Sequence, residues 1–231
     1  MSIEATVTAI ETRQETRGRP AVLSNVSPQT RLACRVFDVV VALAAIVFLS
    51  PLLVAVAVAV WWSDKGAAIF EHERIGQGGR PFKCLKFRSM VVDAEAKLAS
   101  YLAANESARA EWELGHKLRS DPRVTPLGAF LRRSSLDELP QFFNVLRGDM
   151  SVVGPRPIVA GEVVHYGSRY ADYCRVKPGI TGLWQVSGRS DTTYRRRVTM
   201  DVVYARRKSF WWDVKLLALT LPAVLLSRGA Y

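Results

Sequence analysis

The pattern of apolar and polar positions divides the chain into three parts. Residues 1–30 are polar, contain Pro20 and Pro28 and show no apolar period, which predicts a disordered tail. From Val39 to Trp62 the chain reads VVVALAAIVFLSPLLVAVAVAVWW, interrupted only by Ser50 and Pro51. That run meets the roughly 20 residues needed to cross a bilayer core. Trp61 and Trp62 stand at its exit, where amphipathic rings favour the headgroup level. A long polar and basic stretch precedes the run and no A-x-A site follows, so it is not a cleaved signal peptide.

Beyond it the pattern shortens. Ala68–Phe70 and Phe82–Phe87 read as two strands around a Gly-Gly turn. Residues 91–119 are rich in Ala, Glu, Leu and Lys and predict a helix. After the turn residues DPRVTPLG (121–128) come a basic helix ending in LRRSS and then QFFNVLR, stopped by Gly148. Residues 158–173 have an amphipathic helical pattern, 177–189 form a Gly-rich loop, and a basic helix is predicted from about Thr192 to Lys208. The apolar stretch 214–226 is too short and proline-broken to span, and reads as a helix lying at the membrane interface. The predicted fold class is α+β and mostly helical. A tail (1–30) leads into a membrane helix (31–63), followed by a cytoplasmic domain (64–231) with one small β-hairpin and interfacial helices.

Pro51 decides how the membrane helix lies. It has no backbone N–H and clashes with the carbonyl four residues back, so it bends the helix, and Ser50 can bond to a freed or nearby carbonyl. A proline-kinked single span and a helix–break–helix returning to the same face both fit. Basic residues flank the run on both sides, Arg31 and Arg35 before it and Lys65, Arg74, Arg80, Lys83, Lys86 and Arg88 after it, as a re-entrant helix with both ends cytoplasmic would show.

Charge narrows the partners. There are 32 Lys+Arg against 21 Asp+Glu, a net charge of +11, yet 49% of residues are hydrophobic. A nucleic-acid binder can be this basic, and Arg132–Arg147 can be misread as helix-turn-helix, but such a protein rarely commits a 24-residue run (Val39–Trp62) to lipid. Nucleic acid is therefore excluded in favour of membrane lipids and phosphates. Cys34, Cys84 and Cys174 form no CxxC and no disulfide framework, consistent with a reducing compartment. His72, His116 and His165 have no mutual spacing, and Gly76-x-Gly78-Gly79 precedes no helix, so it is a hairpin turn.

The densest chemistry lies in Arg132-Arg133-Ser-Ser-Leu-Asp137-Glu138-Leu-Pro140. Ser135 and Glu138 have capping-box spacing, which puts Asp137 in the first turn of a helix unless Pro140 starts that helix later. Carboxylates at a helix N-terminus with two arginines upstream favour an ionised acid and a bound anion together. A carboxylate beside phosphate-binding arginines suits a nucleophile or a metal ligand; a helix cap with surface salt bridges fits the same residues. Arg156, between Pro155 and Pro157, presents a guanidinium on a rigid turn suited to bidentate phosphate contact, or is a surface arginine. Lys83, Lys86 and Arg88 alternate with Phe82, Leu85 and Phe87, which predicts one basic and one apolar strand face, lining an anion site or facing anionic lipid.

Taken in order, Ser50-Pro51 in the membrane helix, PFKCLKFRSM, DPRVTPLGAFLRRSSLDELPQFFNVLRGDMSVVGPRP and RVKPGITGLWQVSGR resemble the bacterial sugar transferases. These are monotopic phosphoglycosyl transferases that start glycan assembly on polyprenyl phosphate. The resemblance covers about residues 31–228. The short form and the ending LSRGAY look closest to the exopolysaccharide galactosyl-phosphate transferases of the succinoglycan type. It implies a re-entrant helix broken at Ser50 and Pro51, at the bacterial inner membrane with its active site on the cytoplasmic face. It implies that Asp137 attacks the sugar-bearing phosphate of a UDP-sugar and releases UMP, and that the phosphosugar then passes to undecaprenyl phosphate. Mg²⁺ is expected on Glu138 and Asp137, a substrate phosphate on Arg156, the lipid phosphate on Arg132, with Lys86 and Arg88 as further phosphate ligands. The sugar is expected to be galactose, with glucose next; SGRSDTTY is an associational hint towards the former. A homo-oligomer is compatible with the sequence. The contrasting reading is a non-catalytic, membrane-tethered basic module that binds anionic lipid or polyanion.

Overall fold

The computed structural model describes residues 27–115, 118, 120–187 and 193–225. The tail before residue 27, most of SGRSDTTY and the terminal LSRGAY lie outside them.

Helix α1 (Pro28–Asp64) is 37 residues long. Ser27 Oγ accepts the N–H of Thr30 at 3.1 Å and Pro28 fills the first turn, so the helix already begins within the stretch predicted as tail. The helical run continues without interruption through Ser50–Pro51. Pro51 has no N–H for the carbonyl of Val47, and Ser50 Oγ donates to that carbonyl instead, at 2.8 Å. The expected break is thus a replaced backbone hydrogen bond rather than a gap in the helix.

Both flanks of α1 grip the rest of the chain. On the N-terminal side Arg35 donates to the carbonyls of Val145 (2.6 Å) and Leu146 (2.9 Å), and Asp38 accepts from Ser151 Oγ and Val152 N, both at 2.8 Å. On the C-terminal side Val56 and Val60 pack with Phe87 and Leu131, and Asp64 pairs with Arg88. Between these anchors Ala42 is buried, but many apolar side chains stand outward, with Phe48 83% exposed.

Strands β1 (Ile69–Ile75) and β2 (Pro81–Phe87) form an antiparallel hairpin. Gly78 and Gly79 turn it at φ of 72° and 74°, a region that glycine enters without steric cost. The predicted 91–119 helix is two helices, α2 (Ala94–Ala104) and α3 (Glu106–Gly115). Asn105 between them is extended, and its Oδ1 accepts the N–H of Ala108, so an N-cap restarts the helix. Helix α4 (Pro126–Ser134), capped by Thr125, leads to a 3₁₀ turn at Leu136–Glu138 and then to α5 (Gln141–Arg147).

Strand β3 (Ser151–Val153) pairs in parallel with β4 (Gly179–Thr181). Gly154 and Gly179 sit backbone to backbone there, leaving no room for a Cβ on either. The predicted 158–173 helix is replaced by short turns around α6 (Val163–Tyr166) and α7 (Tyr170–Tyr173), because Gly167 takes φ +50°. The predicted Gly-rich loop contains β4 and the single turn α8 (Leu183–Val186). Helix α9 (Tyr194–Arg207) runs through the core and α10 (Phe210–Leu225) follows it. The core gathers Val145, Met150, Val152, Val153, Leu183, Met200, Tyr204 and Leu216 around Ala42 of α1. In α10 Leu216 is buried while Trp211 is 77% exposed. The domain is therefore mostly helical, with two small two-stranded sheets where one hairpin was expected.

Candidate active site

The carboxylates Asp137 and Glu138 stand on the 3₁₀ turn between α4 and α5. The expected capping box does not form. Ser135 instead closes α4 in the left-handed region at φ 57°, and its N–H bonds to the carbonyl of Arg132. Only Ser135 and Lys65 among the described non-glycine residues take positive φ. For serine that conformation is uncommon and costs energy, and here it turns the chain directly into the two acids. Pro140 then precedes α5, so the α-helix starts after the acids rather than around them.

Lys86 of β2 faces this turn. Its Nζ donates to Glu138 Oε1 at 2.6 Å and lies 3.9 Å from Asp137 Oδ2. The hairpin is pinned there by Asn144 of α5, fully buried, which accepts the N–H of Leu85 (2.9 Å) and donates to the carbonyl of Lys83 (2.7 Å). Arg132 Nε donates to Ser89 Oγ at 2.9 Å, which leaves its guanidinium exposed above α4. Asp137 itself is buried, and that desolvation pushes its carboxyl up to about 6. Lys86 and Arg132 oppose the shift and Glu138 adds to it.

Arg156 projects from the turn after β3 and is exposed, while Pro155 and Pro157 on either side are buried. Among the described residues its guanidinium makes no hydrogen bond or ion pair. The turn is held by four bonds: Gly154 N to Thr181 O, Gly179 N to Pro155 O, Arg74 Nη1 to Pro157 O and Ile75 N to Ile158 O. Arg156 and Lys86 both act on His72, which burial and the charge of Arg74 hold below the usual imidazole range. Arg156 therefore stands on a turn tied by Arg74 and Ile75 to the hairpin that carries Lys86.

Of the residues picked out by sequence, Asp137, Glu138 and Lys86 come together; Arg132, whose charge acts on Asp137, ends the helix before them, and Arg156 stands on the turn that Arg74 ties to the hairpin. Arg88 does not join them, being paired with Asp64 at the end of α1. Lys83 corrects the strand reading: even positions Phe82, Cys84 and Lys86 share one face. Lys83 lies on the other with Leu85 and Phe87, paired with Glu71 at 2.7 Å in solvent. Asn144, Ser89 and Arg74 were not singled out from sequence. All three act through partners far along the chain, for which no local spacing exists.

Two carboxylates within reach of one ammonium converge on a single cationic position. No cluster of three His, Cys, Asp or Glu side chains that could hold a metal occurs among the described residues. This donor set suits a cation that completes its shell with phosphate oxygens and water, as Mg²⁺ does.

Comparison with known proteins places the chain in a family. Residues 29–227 match the family model described as bacterial sugar transferase. The chain is 46% identical over 212 residues to the "Exopolysaccharide production protein ExoY" of Rhizobium meliloti, covering 92% of this chain and 94% of that protein. It is 46% identical over 205 residues to the "Undecaprenyl-phosphate galactose phosphotransferase" of Salmonella typhimurium, covering 87% of this chain and 42% of that one. It is 39% identical over 229 residues to the "UDP-glucose:undecaprenyl-phosphate glucose-1-phosphate transferase" of Escherichia coli, covering 94% and 46%. A match over nearly the whole chain that includes both acids, Lys86 and the proline-bracketed Arg156 leaves one conclusion: this protein belongs to the bacterial sugar transferase family.

Proposed function

We propose that the protein is a phosphoglycosyl transferase that moves a hexose-1-phosphate from a UDP-sugar to undecaprenyl phosphate at the cytoplasmic face of the bacterial inner membrane. It would thereby start an exopolysaccharide repeat unit. The observation that carries the reading is Asp137, a buried carboxylate beside Lys86 in a chain of this family. An ionised Oδ of Asp137 attacks the sugar-bearing phosphorus, and the bond to the UMP oxygen breaks with its electron pair leaving on UMP. An oxygen of undecaprenyl phosphate then attacks the same phosphorus and releases the Asp137 carboxylate.

A carboxylate is a weak nucleophile, so the rate rests on positioning and charge neutralisation. Arg156 supplies a planar fork for a donor phosphate, and Arg132 a second for the acceptor phosphate. Lys86 holds Glu138 in place and lowers the cost of ionising Asp137. Glu138 and Asp137 would hold Mg²⁺, which when bound neutralises diphosphate charge. The names of the relatives support galactose or glucose as the sugar, and galactose is taken first because a relative at 46% identity is named for it against 39% and 42% for two named for glucose.

The grip on both flanks of α1 supports a re-entrant membrane helix. Asp38 and Val60 are 22 residues apart, about 33 Å along a straight helix, close to the roughly 30 Å hydrocarbon thickness. One domain cannot hold both flanks from opposite sides of a bilayer. The exposed apolar segment around Phe48 therefore dips into lipid and returns, which keeps the acids at the level of a lipid-borne phosphate.

The test offers membranes containing the protein a panel of UDP-sugars with undecaprenyl phosphate and measures UMP. Asp137→Asn should abolish UMP release while membrane association persists. UMP release by that variant at the parent rate refutes the covalent route, and no turnover of any UDP-sugar favours the non-catalytic basic module.

A further inference from the structure

We infer that Arg74 is a positioning residue of this site, fixing the turn that carries Arg156 against the hairpin that carries Lys86; the inference rests on the phosphoglycosyl-transfer reading above.

Arg74 lies at the far end of β1, and β1 is paired with the strand that bears Lys86, Phe70 standing opposite Lys86 and Arg74 opposite Phe82. Its side chain is 11% exposed, unusually deep for a guanidinium. Nη1 donates to the carbonyl of Pro157 at 3.1 Å and Nη2 meets His72 Nδ1 at 3.1 Å, while Glu162 is 3.7 Å away and Nε is buried without a partner. No hydrogen bond or ion pair joins Arg74 to Asp137 or Glu138 among the described residues. Its partners are parts that border the site: the carbonyl next to Arg156, and the imidazole of His72, which stands opposite Cys84, two residues from Lys86 on the paired strand.

The surroundings make this link rigid. Ile75 N bonds to Ile158 O at 2.8 Å, and Tyr173 donates to Ile75 O at 2.7 Å. Glu162 accepts the N–H of Val159 at 2.9 Å. The segment Pro157–Val159 is thus tied at three successive residues, and Arg74 supplies the tie nearest Arg156. Arg74 also repels Arg156, the charged neighbour that acts on it most strongly. With its own guanidinium held by Pro157 and His72, it directs the Arg156 fork outward, where it stays exposed and free for an anion. A buried cation behind an exposed one also raises the positive potential where a diphosphate would lie.

The experiment is a double-mutant cycle on the full chain in membranes. It reads kcat/KM for UMP release with the UDP-sugar that the panel identifies, using Arg74→Ala, Arg156→Ala and the double variant. Loss of position by about 1 Å can cost about 10²-fold, and that loss is expected for Arg74→Ala. Because Arg74 acts through Arg156, its removal from the Arg156→Ala background should change the rate by less than about threefold. Thermal melting and the membrane-bound fraction report folding. If Arg74→Ala does not fold, Arg74→Lys carries the same cycle, since an ammonium cannot serve Pro157 and His72 with a planar fork. Equal losses in both backgrounds, or no loss in either, overturn the inference. UMP release that survives Asp137→Asn overturns the parent reading, whatever the cycle gives.

Discussion

Lys86 Nζ donates to Glu138 Oε1 at 2.6 Å while standing 3.9 Å from Asp137 Oδ2, so one ammonium serves two neighbouring acids unequally. Glu138 takes the short bond in the more open position; Asp137 keeps only the longer attraction in the more buried one. The two carboxyl groups are thereby given different chemistry. Glu138 has a strong partner, and Asp137 is a desolvated carboxyl near 6 with oxygens less engaged.

The first consequence is a pH dependence. An attacking Asp137 must be ionised, so kcat/KM for UMP release should rise about tenfold per pH unit below pH 6 and level off above it. Stability moves the other way. The folded carboxyl sits at about 6 against the ordinary 3.8, so between these values the folded chain keeps a proton that the unfolded chain has released. The contribution is fully present below pH 3.8 and is lost as pH rises through 6. Asp137→Asn should therefore melt higher than the parent at pH 8, by up to about 3 kcal/mol. Lower melting of that variant at pH 8 would contradict the burial argument.

Removing the ammonium should couple these effects. In Lys86→Met, Asp137 loses an opposing positive charge, so the acidic limb of the rate profile moves to higher pH. At pH 8 the rate should fall by about 10²-fold, the usual scale for deleting one stabilising donor. An unchanged limb position, measured as the pH of half-maximal kcat/KM, would show that Lys86 does not act on Asp137.

What could be read in advance follows the range of each interaction. Asp137, Glu138, Arg132 and Arg156 were legible because charge, proline and helix-end chemistry mark them within a few residues. The run Val39–Trp62 was legible by length alone. Arg74 was not, because its partner Pro157 is 83 positions away, nor was Asn144, which is 59 from Leu85. Local patterns also misled. The spacing of Ser135 and Glu138 suggested a capping box, but the backbone at Ser135 turns left-handed to close α4 instead. Lys83 was grouped with Lys86, although a strand's period of two puts them on opposite faces.

Asn144 gives a stability prediction that separates architecture from chemistry. It satisfies both backbone groups that hold β2 against α5, and it is fully buried. Asn144→Ala leaves a buried N–H and a buried carbonyl unpaired, which should cost about 2 to 4 kcal/mol, read as a lowered denaturation midpoint. Because Lys86 lies on the strand thus released, activity should fall with it. A fully stable variant would show that other contacts align the hairpin.

The last prediction concerns α1. Ser50 Oγ takes the Val47 carbonyl that Pro51 cannot serve, so the hydrogen bond lost at the proline is replaced within the helix. Arg35 and Asp38 on one flank, and Val60 and Asp64 on the other, are bound to the same domain. Single cysteines at Thr30 and Lys65 in a background lacking the native three should therefore react with a membrane-impermeant thiol reagent only after the cytoplasmic side is opened. Reaction of the two from opposite sides would establish a spanning helix. In that case the contacts on one flank could not coexist with membrane insertion. Pro51→Ala tests the same point from within, because it restores the N–H to Val47 and removes the ring at which a re-entrant helix would bend. If the bend holds the helix on one side, this variant should shift part of the population to opposite-side labelling and lose UMP release in the same proportion. Undiminished UMP release from a spanning population would show that the domain tolerates a straight anchor.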